Sequence, residues 1–325
     1  MLIGININGC MDPYYETEGY SYLTLVNCDG SNKTQLSRVY TWNTFFYNND
    51  QKLLYKKGAG GVGDEIISID LNTLQLETIF PPGTEEWDID AFELFPSLNK
   101  VIFWAEYDLY SLSIDTGNVE NITNTDLIRE EKVNLSPSGE YFAYIEREGS
   151  YPDTIKWSIK YRNIEGSIDV FVKSQFSTNN NIFAYVDWIN DNTIIYANRN
   201  IFGEPGIYKI QLDGSGDEYL YEGNSLGFSI CDDGSKVVFG DDDEIYLLET
   251  TDYSISHLVT GQSPSISPDG NKLVYKNDIH NLVVWDMIED ILTPISEKPE
   301  LTASAFTSDS QKMVFTEQVQ VTYYP

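Results

Sequence analysis

Basic residues are scarce in this chain. Twenty Lys and Arg stand against 51 Asp and Glu in 325 residues, a net charge of −31. Nucleic-acid backbones are held by clustered Lys and Arg, so this balance excludes nucleic acid as a partner. Its first physical meaning is solubility and self-repulsion. Long apolar runs are also missing: none approaches the roughly 18 to 20 residues of a membrane-spanning helix, and no membrane insertion is expected. Cysteine is rare. Cys10, Cys28 and Cys231 are odd in number, far apart and without CxxC spacing, which excludes a disulfide framework and reads as buried thiols in a reducing compartment. The N-terminus has neither a basic n-region nor an apolar h-region, and Ile3, Ile5 and Ile7 alternate like a strand. The expectation is a cytoplasmic protein, with leaderless export or a removed leader as the alternatives. Apolar residues at i, i+3, i+4 and i+7 are sustained nowhere, which excludes a helical fold. Aromatics, by contrast, are plentiful, at 14% of residues with 23 Tyr. Such a chain can bury enough surface to offset its ordering entropy and is not disordered.

A repeat runs through the sequence. Ser267-Pro268-Asp269-Gly270 leads into Leu273-Val274-Tyr275, and the same pattern recurs at Ser136–Tyr144 and Cys231–Phe239. Weaker copies end at Tyr55, Phe103, Tyr196 and Phe315. Each is a turn-forming cluster followed by a short apolar strand closing on an aromatic. Between these units lie strand–turn–strand segments, clear at 20–36, 207–219 and 245–258, with Asp-Gly or Asp-Tyr near the middle. Two hairpins per repeat make seven four-stranded units of roughly 46 residues, the dimension of a propeller blade. The chain begins with a second-type hairpin (about 20–37) and ends with a first-type one (about 305–316), so the two are expected to complete one closing blade. The expected fold is all-β: a single domain over 1–325 forming a seven-bladed β-propeller of antiparallel blades, closed by strands from both termini. Six blades with a spare hairpin is the alternative.

The SPDG unit and its following hairpin resemble the TolB-type (PD40, WD40-like) β-propeller repeat, over about 20–316. That repeat also occurs in the propellers of prolyl-oligopeptidase-type peptidases and in oligogalacturonate lyases. The sequence departs from each. It lacks the TolB α/β domain and the hydrolase domain of the peptidases. His257 and His280 are too few for the His-rich metal site of the lyases. What the resemblance implies is a propeller-only member, a fold that hosts many functions.

Several residue sets could carry chemistry. Gly223-Asn224-Ser225-Leu226-Gly227 spells a nucleophile elbow, but that motif works on a strand-to-helix turn, and here a strand follows. Asp241–Glu244 and Asp213–Glu218 offer oxygen atoms to calcium without matching an EF-hand loop. They read first as solvated turns, and no cofactor is expected beyond that calcium alternative. On the face formed by loops into first strands and between second and third strands lie Tyr40, Trp42, Trp87, Tyr107, Tyr151, Arg199 and Phe202. Aromatics and Arg dominate binding hot spots. Trp42, Trp87, Tyr107, Tyr151, Arg199 and Phe202 are therefore the candidate binding residues, and no catalytic residue or metal ligand is singled out. The expected function is a non-enzymatic scaffold presenting this face to a protein or peptide partner. One alternative is a lectin-like module stacking glycans on the same aromatics; another is a lyase or hydrolase using carboxylates in the central tunnel.

Overall fold

The computed structural model describes residues 17–38, 44–58, 64–80, 89, 91–125, 128–149, 154–166, 168–177, 183–198, 205–223, 227–297, 299 and 305–322. Its strands follow the repeat. The chain opens with β1 (Thr17–Asn27) and β2 (Thr34–Arg38). Blade B is β3 (Thr44–Tyr47), β4 (Lys52–Gly58), β5 (Asp64–Asp70) and β6 (Leu76–Phe80). Blade C is β7 (Ala91–Phe95), β8 (Lys100–Ala105), β9 (Asp108–Ser113) and β10 (Val119–Asn121). Blade D is β11 (Ile128–Leu135), β12 (Tyr141–Glu148), β13 (Ile155–Asn163) and β14 (Asp169–Ser177). Blade E is β15 (Phe183–Asn190), β16 (Thr193–Asn198), β17 (Gly206–Gln211) and β18 (Glu218–Glu222). Blade F is β19 (Phe228–Ile230), β20 (Lys236–Asp241), β21 (Glu244–Glu249) and β22 (Ser254–Thr260). Blade G is β23 (Gln262–Ile266), β24 (Lys272–Lys276), β25 (Leu282–Asp286) and β26 (Ile291–Ser296). The chain closes with β27 (Ala305–Phe306) and β28 (Lys312–Thr322), and blade A is the sheet β2-β1-β28-β27.

The result is a seven-bladed β-propeller of four-stranded antiparallel sheets, with the closing blade built from both ends of the chain. β1 and β28 pair without a break from Thr17↔Thr322 to Asn27↔Lys312. Each apolar strand buries both faces, and seven core clusters result, each joining consecutive blades. The seven strand-closing aromatics of the repeat are all buried, none more than 3% exposed. Three stack on the aromatic opposite them in the third strand: Phe103 on Tyr110, Tyr196 on Tyr208 and Phe239 on Tyr246. Cross-strand aromatic pairs of this kind are a main unit of sheet stabilisation.

The SPDG turn has a local and a tertiary function. Ser267 Oγ donates to Asp269 Oδ1 at 2.6 Å and accepts from Lys272 N–H, while Asp269 Oδ1 accepts from Asn271 N–H. Thr307 and Asp309 repeat the arrangement, and Cys231 Sγ with Asp233 does so with sulfur in place of oxygen. The turn then reaches the next blade: Asp269 N–H donates to Ser310 Oγ, Ser138 N–H to Asp191, and Ser308 N–H to Asp50 Oδ2. At Gly234 (φ +69°) an added Cβ would stand 1.8 Å from Ile189 O of the neighbouring blade, so glycine is required twice over.

First strands of adjacent blades touch one another: β7 with β11, β11 with β15, β19 with β23 and β27 with β3. They therefore form the inner ring. The only helical element among the described residues is a 3-10 turn, Pro96–Leu98. None is long and apolar enough to cross a membrane. Cys28 and Cys231 are buried free thiols, and burial pushes the Cys28 thiol up to about 12.

Candidate functional site on the inner ring

Of the binding residues expected from sequence, Tyr107 alone lies among the described residues. Trp42, Trp87, Tyr151, Arg199 and Phe202, with Tyr40, lie outside them. Tyr107 occupies the tight turn between β8 and β9 at φ +76°, is 59% exposed, and sits 5.8 Å from the Arg129 guanidinium.

The inner ring offers a set the sequence reading passed over. β7 reads Ala-Phe-Glu-Leu-Phe, and β15 carries Tyr-Val-Asp-Trp at 185–188. Period-2 alternation sends Phe92 and Leu94 into the core between blades B and C, and Val186 and Trp188 into that between D and E. Glu93 and Asp187 consequently face the other way. Each keeps part of its surface open, yet protein surrounds both carboxyl groups so closely that desolvation dominates their chemistry. Asp187 is pushed up to about 7 by burial, opposed by the Trp188 N–H that donates to its Oδ1 at 2.8 Å. Glu93 is driven well above the carboxylate range by burial, and next by the negative charge of Asp187. A negative charge at Asp187 thus favours the protonated form of Glu93.

β11 lies between these two strands. Lys132 Nζ stands 5.7 Å over the ring of Tyr185, and Arg129 stacks 4.4 Å over Trp104. Trp104 pairs with Ala91, two residues along β7 from Glu93. Tyr185, two residues before Asp187 and on its side of β15, also lines a groove of about 570 Å³. Phe228 forms its other aromatic wall, 6.1 Å from Tyr185, with Asp241, Asp242, Asp243, Gln262 and Pro264 completing it.

Other sequence candidates are occupied or dispersed. Asp241 accepts from the Tyr221 hydroxyl at 3.0 Å, and Asp243 from Gln262. Asp213 accepts from Ser215, and Asp217 pairs with Lys173. Among the described residues no group of three or more His, Cys, Asp and Glu is placed to hold a metal ion, so the calcium alternative gains no ligand set. His257 Nε2 lies 2.5 Å from Glu244 on the outer strand of blade F, and His280 sits in an exposed turn of blade G. Residues 224–226 of the elbow-like segment lie outside the described residues; it runs from β18 into β19, between two strands.

No family model matches the sequence, and no curated protein matches it. Solved structures do. An oligogalacturonate lyase in complex with manganese is 12% identical, with a TM-score of 0.73 over 97% of this chain and 99% of its own. A puromycin-hydrolysing peptidase of Mycobacterium tuberculosis is 13% identical (TM-score 0.66), over 84% of this chain and 48% of its own length. A putative TolB from Agrobacterium tumefaciens is 12% identical (TM-score 0.55), over 94% of this chain and 100% of its own. TolB-like propellers are thus among the structural neighbours, and at these identities the likeness establishes the fold. It also corrects the expectation of a non-enzymatic scaffold. That expectation rested on the missing hydrolase domain and sparse histidine, yet the lyase is an enzyme matched end to end by this propeller. A ring without an appended domain is therefore no argument against catalysis. This chain's two histidines lie in separate blades, one of them against Glu244.

Proposed function

We propose that the protein is an enzyme that cleaves oligosaccharide bonds, as a lyase or a hydrolase, by carboxylate acid–base chemistry at the inner ring. Glu93 is the proton donor and Asp187 the base. The observation that carries this reading is the pair itself. Two acids stand on first strands of blades C and E, both raised by desolvation, and the charge of Asp187 raises Glu93 further. Environments that push two carboxyl groups apart assign acid and base roles. A group poised near the working pH is the efficient one.

Each side chain has a stated task. Glu93 gives its proton to the leaving oxygen as the bond to it breaks. Asp187 takes a proton from the attacking water in a hydrolysis, or from substrate carbon in an elimination. Tyr185 and Phe228 offer ring faces on which a sugar can stack beside Asp187. The name of the lyase among the structural neighbours agrees with a sugar-polymer substrate.

The test is turnover of a panel of neutral, amino- and uronic-acid oligosaccharides from pH 5 to 9. Activity is expected to rise as Asp187 deprotonates near pH 7 and to fall once Glu93 loses its proton. Asp187→Asn and Glu93→Gln are each expected to lower kcat by about 100-fold or more. Turnover unchanged in both variants, or no turnover across the panel, overturns the proposal.

A further inference from the structure

The groove beside Tyr185 opens on the face where loops enter first strands and where second strands turn into third ones. Phe228 starts β19, Asp242 and Asp243 form the turn between β20 and β21, and Gln262 starts β23. Blades E, F and G thus meet around a space of about 570 Å³. Glycines let its walls come close: a Cβ on Gly227 would stand 3.3 Å from Tyr185 Cζ, and one on Gly240 would stand 3.4 Å from Pro264 Cδ.

The charges around this space have one sign. Asp241, Asp242 and Asp243 line it, and among the described residues no Lys, Arg or His does. Blade F, residues 228–260, holds eight acidic residues and a single lysine. That lysine, Lys236, begins β20 at the end away from the groove and donates to Gly270 O at 2.9 Å. Asp241 is held by the Tyr221 hydroxyl and Asp243 by Gln262, so two of the three charges are fixed in place. Asp242 and Asp243 are exposed and open to a ligand.

The aromatic walls point to the same chemistry. Ring faces carry negative potential and attract cations. Lys132 Nζ, 5.7 Å over the Tyr185 ring, shows that this wall accepts an ammonium group, and Lys132 itself is not part of the groove lining. Carboxylates are acceptors only, whereas an ammonium group is a donor only. A cleft lined by one sign of charge also concentrates the opposite ion. The matching ligand is a cation broad enough to touch rings 6.1 Å apart. A bare metal ion does not match, since among the described residues no three acids are placed to hold one.

We propose that the groove binds the protonated amine of an amino sugar, so that the substrate is an oligosaccharide of amino sugars. The sugar stacks on Tyr185 or Phe228 while its ammonium group meets the Asp242 and Asp243 carboxylates. Tyr185 is two residues from Asp187 on the same side of β15, which sets the bound sugar beside the base. The substrate class rests on the acid–base reading above; the binding of an ammonium group rests on the groove alone.

Calorimetric titration of the full chain at pH 6 with a glucosamine tetrasaccharide, its N-acetylated form and a uronic-acid tetrasaccharide tests it. Acetylation removes the charge and keeps the sugar ring. The amine form is expected to bind saturably and about tenfold tighter than the acetylated one, and the uronic form to show no saturation. Added salt is expected to weaken the amine form alone. Asp242→Asn combined with Asp243→Asn is expected to cut the preference to about threefold or less. Asn suits the left-handed φ of both positions, +47° and +66°, so the turn is kept. Asp213→Asn combined with Asp252→Asn removes the same charge from turns between third and fourth strands, on the opposite face, and is expected to leave the preference unchanged. An acetylated form bound as tightly as the amine overturns the proposal. So does no saturation by any of the three, or a preference lost equally in both double variants. Tight binding of the amine form without turnover leaves the amine site standing and removes the acid–base reading. Turnover of neutral or uronic chains with no preference for the amine does the reverse.

Discussion

Glu130 shows what a single carboxyl group costs inside this ring. Its side chain accepts from Thr125 Oγ1 at 2.9 Å and Thr123 Oγ1 at 3.2 Å, beside Asp108, and it is 1% exposed. Burial outweighs the two threonine hydroxyl groups, with Asp108 and Glu146 adding to it, and its pKa is pushed up to about 7. A carboxyl group raised on folding holds a proton that the unfolded chain has released. Its contribution is therefore intact below the unfolded value, near 4.5, and is lost as pH rises through about 7. Glu130→Gln is expected to match wild type in urea unfolding at pH 5 and to exceed it at pH 8 by on the order of 2 kcal/mol. Equal stability at both values would remove Glu130 as a source of the pH dependence.

The SPDG turn is the element on which the ring is assembled. Its small polar residue and Asp tie the turn internally, its fourth position takes positive φ, and its backbone reaches the neighbouring blade. The copy at Thr307–Ser310 explains a degenerate repeat: Ser310 replaces glycine at φ +57°, and its Oγ accepts from Asp269 N–H of blade G. Gly234→Ala is expected to lower stability by about 2 kcal/mol or more. It adds left-handed strain of about 1–2 kcal/mol to a backbone clash with Ile189 O. A thermal melt within one degree of wild type would show that blades E and F shift apart freely at this contact. The repeat was legible because each turn needs the same few residue types. Glu93 and Asp187 were not singled out, because an acid inside an apolar strand is one of 51 until the ring shows which strands are innermost. The alternations Phe-Glu-Leu and Val-Asp-Trp were the available signal. Trp104 and Arg129 could not be paired from sequence either, since they belong to different blades.

Closure operates at the scale of the whole molecule. β1 and β28 pair along their full length, and Glu317 on β28 accepts from Thr24, Lys33 and Ser296, joining the closing blade to blade G. Blade A meets blade B through the core of Leu23, Leu53, Tyr55 and Val314. An opened ring would expose two sheet edges and these contacts together. Leu23→Ala is expected to cost about 2–4 kcal/mol and to lower a single transition seen alike by far-ultraviolet circular dichroism and tryptophan fluorescence. A fluorescence midpoint left unchanged while the circular dichroism midpoint falls would mean that the blades holding Trp104, Trp157, Trp188 and Trp285, C to E and G, unfold independently of the closure.

The repeat, the seven blades and the exchange of strands between the ends of the chain are written locally in the residues. These follow from local rules: period-2 burial, turn chemistry and the need to pair every edge. Which carboxyl groups lose their water and which side chains of separate blades meet is settled by the closed ring. Desolvation and coupling depend on distance through space, and a ring brings together residues that the chain keeps tens of positions apart.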